Sequence, residues 1–135
     1  MNRFLPGIFL LIVLCVISPL ALCAGLLGTG MQAYDRQDYK LAYEQLLPLA
    51  EQGDAQAQYV VGSMLVDGMG VPADPVKGVY WLEQAISKKY YKAAITLGKM
   101  YISGYGVAMD TDKGAKYILL SESLATEDDA EPGCD

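Results

Sequence analysis

The chain has 135 residues, 53% of them apolar, a formal net charge of −6 and no histidine. Such a length fits one domain. The acidic balance argues against a nucleic-acid partner, which needs a basic footprint, and against adhesion to anionic lipid. The missing histidine excludes a His-based metal site or general base.

The apolar excess sits at the N-terminus. Only Arg3 carries charge before Asp35, and Phe4 to Leu27 is otherwise apolar or small, broken by Pro6, Gly7, Ser18 and Pro19. A positive start, an apolar run and a small-residue end read as a secretory signal over residues 1–24, cut after Ala24 or Gly25. Two other readings stay open. The run is long enough to span a bilayer if it is retained. The stretch Leu20-Ala21-Leu22-Cys23 also resembles a bacterial lipobox, although Leu22 stands where such boxes have a small residue. Without Arg3 the charge balance becomes 9 − 16 = −7. Cleavage would remove Cys15 and Cys23 and leave Cys134 as a lone thiol.

The expected domain covers residues 25–125. Gly25 to Gly30 reads as a glycine-rich spacer, and Met31 to Arg36 as the end of a short helix. Asp38 is placed to cap a helix from Tyr39 to about Gln52, whose Leu41, Ala42, Leu46, Leu49 and Ala50 recur at helical spacing. Pro48 inside it should bend it. Gly53 stops that helix and Asp54 caps the next, Ala55 to Val66. Gly68-Met69-Gly70-Val71-Pro72-Ala73 is a turn, with Val71 tucked back into the core. Asp74-Pro75 starts a helix reaching Lys89. Helix Tyr91 to Ser103, a turn from Gly104 to Met109, cap Asp110 and helix Thr111 to about Leu124 follow. Thr126 to Asp135 reads as an acidic disordered tail.

One offset organises these elements. Ala57 and Ala93, Gly62 and Gly98, Met64 and Met100, Gly68 and Gly104, Gly70 and Gly106, Val71 and Val107, and Asp74 and Asp110 are all 36 positions apart. Lys77 and Lys113, Gly78 and Gly114, and Trp81 and Tyr117 keep the spacing. Asp38, Ala42 and Leu46 extend it backwards to Asp74, Gly78 and Leu82. A fixed period of this size is the signature of a solenoid. The expectation is an all-α solenoid of stacked antiparallel helix pairs with four or five helices. It comprises the end of one repeat, one complete repeat and most of another. Small residues such as Gly62 let paired helices approach closely.

Ala57, Val61-Gly62, Leu65, Gly68-Met69-Gly70-Val71, Asp74, Lys77-Gly78 and Trp81 resemble the Sel-like repeat family, relatives of the tetratricopeptide repeat. So do their counterparts Ala93, Leu97-Gly98, Tyr101, Gly104-Tyr105-Gly106-Val107, Asp110, Lys113-Gly114 and Tyr117. The resemblance covers about Tyr34 to Leu124 and implies a right-handed superhelix, while its motif residues are structural and say little of function. Gly78 and Gly114 replace the usual Ala, which should loosen the second helices. Ser87-Lys88-Lys89-Tyr90-Tyr91 replaces the usual Gly-Asp junction. The Cys pairs that clamp some relatives do not occur, so no disulfide carries over.

An enzyme needs a nucleophile, base or metal held in a pocket. Ser63, Ser87 and Ser103 lack a His partner. Asp110 and Asp112 read as helix-start residues. Asp67 lacks the alternating oxygen ligands of a calcium loop, and neither Gly-x-Gly turn has the context of a phosphate loop. No catalytic residue, cofactor or metal is therefore assigned. The expected function is an exported, periplasmic or secreted, non-catalytic interaction module that binds a peptide or protein. A membrane-anchored structural or assembly subunit of an envelope complex is the alternative. A cell-wall-related hydrolase stands third.

Positions that differ between the copies mark surface free to vary. In the first helices these are Gln56, Tyr59, Ser63 and Val66, against Lys92, Ile95, Lys99 and Ile102. Each set steps by 3, 4 and 3 residues and so forms a stripe on one helical face. These two stripes are expected to line a partner-binding groove on the concave face. The competing reading packs Tyr59, Val66, Ile95 and Ile102 against neighbouring helices. With no polar capping helix evident, Leu119, Leu120 and Leu124 should be partly bare, which a homodimer or a larger partner would cover.

Overall fold

The computed structural model describes residues 19–128, which are helices and turns throughout. The apolar leader before Pro19 and most of the acidic tail, with Cys134, lie outside the described residues. Among the described residues six helices follow one another: α1 (Pro19–Asp35), α2 (Tyr39–Glu51), α3 (Ala55–Asp67), α4 (Pro75–Ser87), α5 (Tyr91–Ser103) and α6 (Thr111–Asp128). They pair as three hairpins, α1–α2, α3–α4 and α5–α6, stacked through α2 on α3 and α4 on α5. No helix among the described residues is long and apolar enough to cross a membrane.

The period is more complete than the residue matches suggest. First helices start at residues 19, 55 and 91, and second helices at 39, 75 and 111, so each series steps by 36. The expected spacer at Gly25 to Gly30 is therefore corrected: it lies inside α1, and the first repeat is a whole hairpin. Packing explains the glycine at Gly30, whereas Gly25 and Gly28 face open space. Ala33 is buried, and a Cβ on Gly30 would lie 2.6 Å from Leu46 Cδ2. Gly30 is the counterpart of Val66, and Ala42 that of Gly78. The small residue at this crossing thus sits on the first helix in one hairpin and on the second in the next.

Caps fix where helices begin. Asp38, Asp54, Asp74 and Asp110 carboxylates accept from the N–H of Leu41, Ala57, Lys77 and Lys113 at 3.3, 2.7, 3.1 and 2.8 Å. Each offsets one of the free donors of a first turn. At the other end, Gly68 and Gly104 take φ of 70° and 71°, the left-handed region that favours glycine. The turns then close identically, with Asp74 N–H donating to Leu65 O and Asp110 N–H to Tyr101 O, both at 2.8 Å. Helix α2 continues through Pro48, whose carbonyl accepts from Gln52 N–H at 3.1 Å.

Two apolar clusters form the core. One joins α1, α2 and α3 through Leu46, Leu49, Val61 and Met64, with Val71 packed against it as the sequence suggests. The other joins α3, α4 and α5 through Val66, Leu82, Leu97 and Met100. Within hairpins the helices nearly touch. A Cβ on Gly78 would lie 2.5 Å from Val66 Cγ2, and one on Gly114 2.6 Å from Ile102 Cγ1. The expectation that Gly78 and Gly114 loosen their helices is thus corrected: nothing larger fits.

The last helix runs to Asp128, past the expected end near Leu124. Leu119 and Leu120 are exposed as expected, whereas Leu124 is buried. Where α4 meets α5 with Ala85 and Ile86, α6 carries Ser121 and Glu122, a polar substitution that the period alone does not disclose.

Candidate partner-binding groove

First helices line one groove. Tyr34 comes from α1, Tyr59, Ser63, Val66 and Asp67 from α3, and Thr96, Lys99, Met100 and Ser103 from α5; Tyr105 follows α5. The cavity measures about 370 Å³, within the range of small ligand sites. No second-helix residue contributes to it. That follows from the stacking: second helices lie in the other layer of each hairpin, so the first helices stand side by side.

The chemistry of the lining is mixed. Ser63 Oγ donates to Tyr59 O at 2.9 Å, Thr96 Oγ1 to Lys92 O at 3.1 Å, and Ser103 Oγ to Lys99 O at 2.9 Å. These hydroxyl protons are committed to their own helices, so the oxygens face a ligand mainly as acceptors. Lys99 is an exposed cation with no ion pair among the described residues, and Asp67 supplies an anion. Burial pushes the Tyr34 hydroxyl above the usual tyrosine value, and its neighbours Tyr39, Tyr59, Asp67 and Asp35 add to the rise. Tyr34 therefore meets a ligand as a neutral hydrogen-bonding phenol. Tyr59 leans on Tyr90, ring centroids 5.3 Å apart, which fixes its orientation. The arrangement can hold an extended polar segment, clamp a carboxylate through Lys99 and receive an apolar side chain beside Met100.

Of the eight residues marked by the two stripes, Tyr59, Ser63, Val66 and Lys99 line this cavity. Gln56 and Ile95 are half-buried, Lys92 is exposed, and none of the three lines it. Ile102 lays its Cγ1 beside Gly114 of its own hairpin while staying 44% exposed, and Val66, although it reaches the groove, is buried against Gly78. Helix sides explain the split: the last residue of each stripe has rotated towards the paired helix. Sequence reasoning missed Tyr34, Asp67, Thr96, Met100, Ser103 and Tyr105. Tyr34 was hidden by assigning most of α1 to a leader and spacer. Met100 matches Met64, so a search for differences passes over it. Asp67 and Ser103 are 36 apart and differ, and each lies four residues after a stripe residue, Ser63 or Lys99, one helical turn on.

Among the described residues no cluster of three or more His, Cys, Asp or Glu is placed to hold a metal ion. A second polar assembly lies away from the groove on α5 and α6. Tyr101 and Tyr117 stack at 5.8 Å, and Lys113 Nζ sits 4.2 Å above the Tyr101 ring and donates to its hydroxyl at 2.7 Å. That hydrogen bond raises the Lys113 pKa. The counterpart Lys77 instead pairs with Asp74 at 3.2 Å.

The chain is similar in fold to a Sel1 repeat protein from Oxalobacter formigenes, at 24% identity and a TM-score of 0.66, over 72% of this chain and 40% of that one. It is similar also to a protective antigen present in uropathogenic Escherichia coli strains and displaying an SLR fold. There the identity is 22% and the TM-score 0.66, over 82% of this chain and 27% of that one. The chain thus spans less than half the length of either. No curated protein matches it. The model of the Sel1 repeat matches residues 55–90 and 90–123, which together make 123 − 54 = 69 of the 135 residues. Those bounds enclose the α3–α4 hairpin and nearly all of the α5–α6 hairpin. With its helical period, glycine seams and capped turns already accounted for, the chain belongs to the Sel1 repeat family, whose members generally serve as protein-interaction modules.

Proposed function

We propose that the protein is a non-catalytic interaction module whose groove holds a peptide or an extended segment of a partner protein. One observation carries this reading: every helix lining the groove is the first of its hairpin, so the stack builds a continuous surface across all three repeats. Repeat stacks use such extended surfaces for binding. Hydroxyl acceptors, Lys99 and three tyrosines give it hydrogen bonding, a charge anchor and aromatic area, the ingredients of a specific interface. Lys99 favours a partner that brings a carboxylate.

The same reading places the protein outside the cytoplasm, in the periplasm or secreted, on the strength of the apolar leader after Arg3; a cut after Ala24 would shorten α1 to residues 25–35 and leave Tyr34 in the groove. A retained leader would make it an anchored subunit of an envelope complex, and N-terminal sequencing of the mature chain separates the two. The bare Leu119 and Leu120 support a homodimer, which sedimentation would test.

The groove itself is tested with a partner recovered by crosslinking and co-purification from the native host. Tyr59→Ala and Lys99→Glu should each weaken its binding at least tenfold while leaving helicity unchanged. Unaltered affinity in folded variants would remove the groove as the site.

A further inference from the structure

We propose that the groove reads two opposite charges on one face of an extended partner segment: Asp67 takes a basic side chain, and Lys99 takes an acidic one two residues away from it. The inference rests on the groove reading and names the class of segment that the groove selects.

Asp67 and Lys99 line one cavity, and among the described residues they are the two charged side chains in its lining. Both are exposed, and neither makes an ion pair with the other or with any described residue. The helix stack requires neither charge. The counterpart of Asp67 in the next hairpin is Ser103, and that of Lys99 in the previous one is Ser63. All four residues line the same cavity. Each hairpin thus places a charge at one of two matching wall positions, and the two hairpins differ in position and in sign.

The helix end gives Asp67 a second need for a cation. It is the last residue of α3, next to the Gly68 cap, and that helix has no basic residue in its last turn. A helix C-terminus carries partial negative charge, which disfavours a carboxylate and favours a cation. Tyr34 lies within range of the same carboxylate: burial first, then Tyr39, Tyr59 and Asp67, raise its pKa. Its phenol oxygen is a further acceptor for a cationic N–H donor.

The spacing follows from the repeat. Asp67 stands one helical turn beyond Ser63, the counterpart of Lys99, so the two charges are offset by a turn along the helices and by one hairpin across the stack. They stand diagonally across the groove, unpaired. In an extended segment, residues two apart share a face and lie about 7 Å from each other, whereas adjacent residues point to opposite faces. A basic and an acidic residue separated by one other therefore meet both walls together.

Calorimetric titration of the full chain with end-blocked hexapeptides of Ser and Leu tests this. Exposed ion pairs are weak, so differences of about threefold are expected. A peptide with Lys and Glu two residues apart, in the better of its two orders, should bind about threefold more tightly than one with the pair adjacent. Gln in place of Lys, or of Glu, should weaken it by a similar factor. Asp67→Ser and Lys99→Ser introduce the residue that the other hairpin already carries, so helicity should not change. Asp67→Ser should weaken the Lys peptide and leave its Gln-for-Lys version unaffected. Lys99→Ser should do the same for Glu and its Gln replacement. The charge register is overturned by equal binding of spaced and adjacent pairs, by no preference for Lys over Gln, by Asp67→Ser acting on both peptides alike or on neither, or by no saturable binding. Tyr59→Ala separates this failure from that of the groove: if it weakens every hexapeptide alike while the charges make no difference, the groove stands and the register falls.

Discussion

Gly62 and Gly78 meet backbone to backbone across the α3–α4 hairpin. A methyl on Gly62 would lie 3.0 Å from Gly78 O, and one on Gly78 would lie 2.8 Å from Gly62 O. Gly98 and Gly114 repeat the pair at 3.0 and 2.7 Å. Ordinarily Gly→Ala inside a helix gains about 0.5–1 kcal/mol. Here the added methyl presses on backbone, and at Gly78 also on Val66, and overpacking costs about 1–3 kcal/mol. Gly78→Ala should therefore destabilise by roughly 1 kcal/mol or more. Urea unfolding would show a lower midpoint at unchanged slope. A higher midpoint would mean that the seam is not tight.

Lys89 offers the opposite case. It stands 36 residues after Gly53 and adopts the same left-handed conformation, with φ of 65° against 95°. A non-glycine residue there costs about 1–3 kcal/mol. Lys89→Gly should stabilise by at most roughly 0.5–1 kcal/mol after the added chain entropy of glycine and the loss of the side chain's own interaction are subtracted. Calorimetry would register it as a rise in Tm.

Both ends of the pH range carry expectations. Burial first, then the neighbouring Tyr59, Tyr91 and Asp54, raise the Tyr90 pKa, as burial raises that of Tyr34. A group raised on folding contributes stability fully below its unfolded value and loses it as pH climbs through the folded one. Thermal midpoints should therefore fall above about pH 10, and Tyr90→Phe should flatten that fall. Asp74 is the reverse. The Lys77 backbone N–H, then the Lys77 side chain, lower its pKa. Its contribution is present above the ordinary carboxylate value and disappears as pH drops through the folded one. Asp74→Ala should remove that acid-sensitive part. A melt independent of pH at both extremes would refute both assignments.

Loss of a cap can be measured directly. Asp54 holds Ala57 N–H at 2.7 Å, the shortest of the four carboxylate caps. Asp54→Ala should cost about 0.5–2 kcal/mol. Tyr90, at the matching position, makes no side-chain cap, so Tyr90→Ala should cost α5 no capping bond. It should instead free Tyr59, and the loss would be read in partner affinity as well as in Tm.

The 36-residue period made the fold readable from α2 onwards. Asp38, Asp54, Asp74 and Asp110 mark helix starts in the chain itself, because a cap is a local interaction of neighbouring residues. Helix α1 was not readable the same way. Its apolar run matches a leader equally well, and its place in the stack depends on Leu46, which is distant in sequence. The groove was legible in part. Tyr59, Ser63 and Lys99 stand on a face that varies between copies. Which side of that face turns inward depends on the rotation of each helix against its partner, fixed by Gly78 and Gly114. Spacing within α3 or α5 alone holds no such information.

Because first helices alone line the groove, its span counts hairpins as a ruler counts divisions. Successive first helices are not packed directly on one another, so they stand at least the about 8–10 Å apart of packed helices, and an extended chain advances about 3.3 Å per residue. A strand laid from Tyr34 across Ser63 to Lys99 thus needs at least about six residues. Shorter peptides would touch two hairpins and forfeit the third, so trimming a bound peptide below that length should weaken it abruptly rather than by even steps.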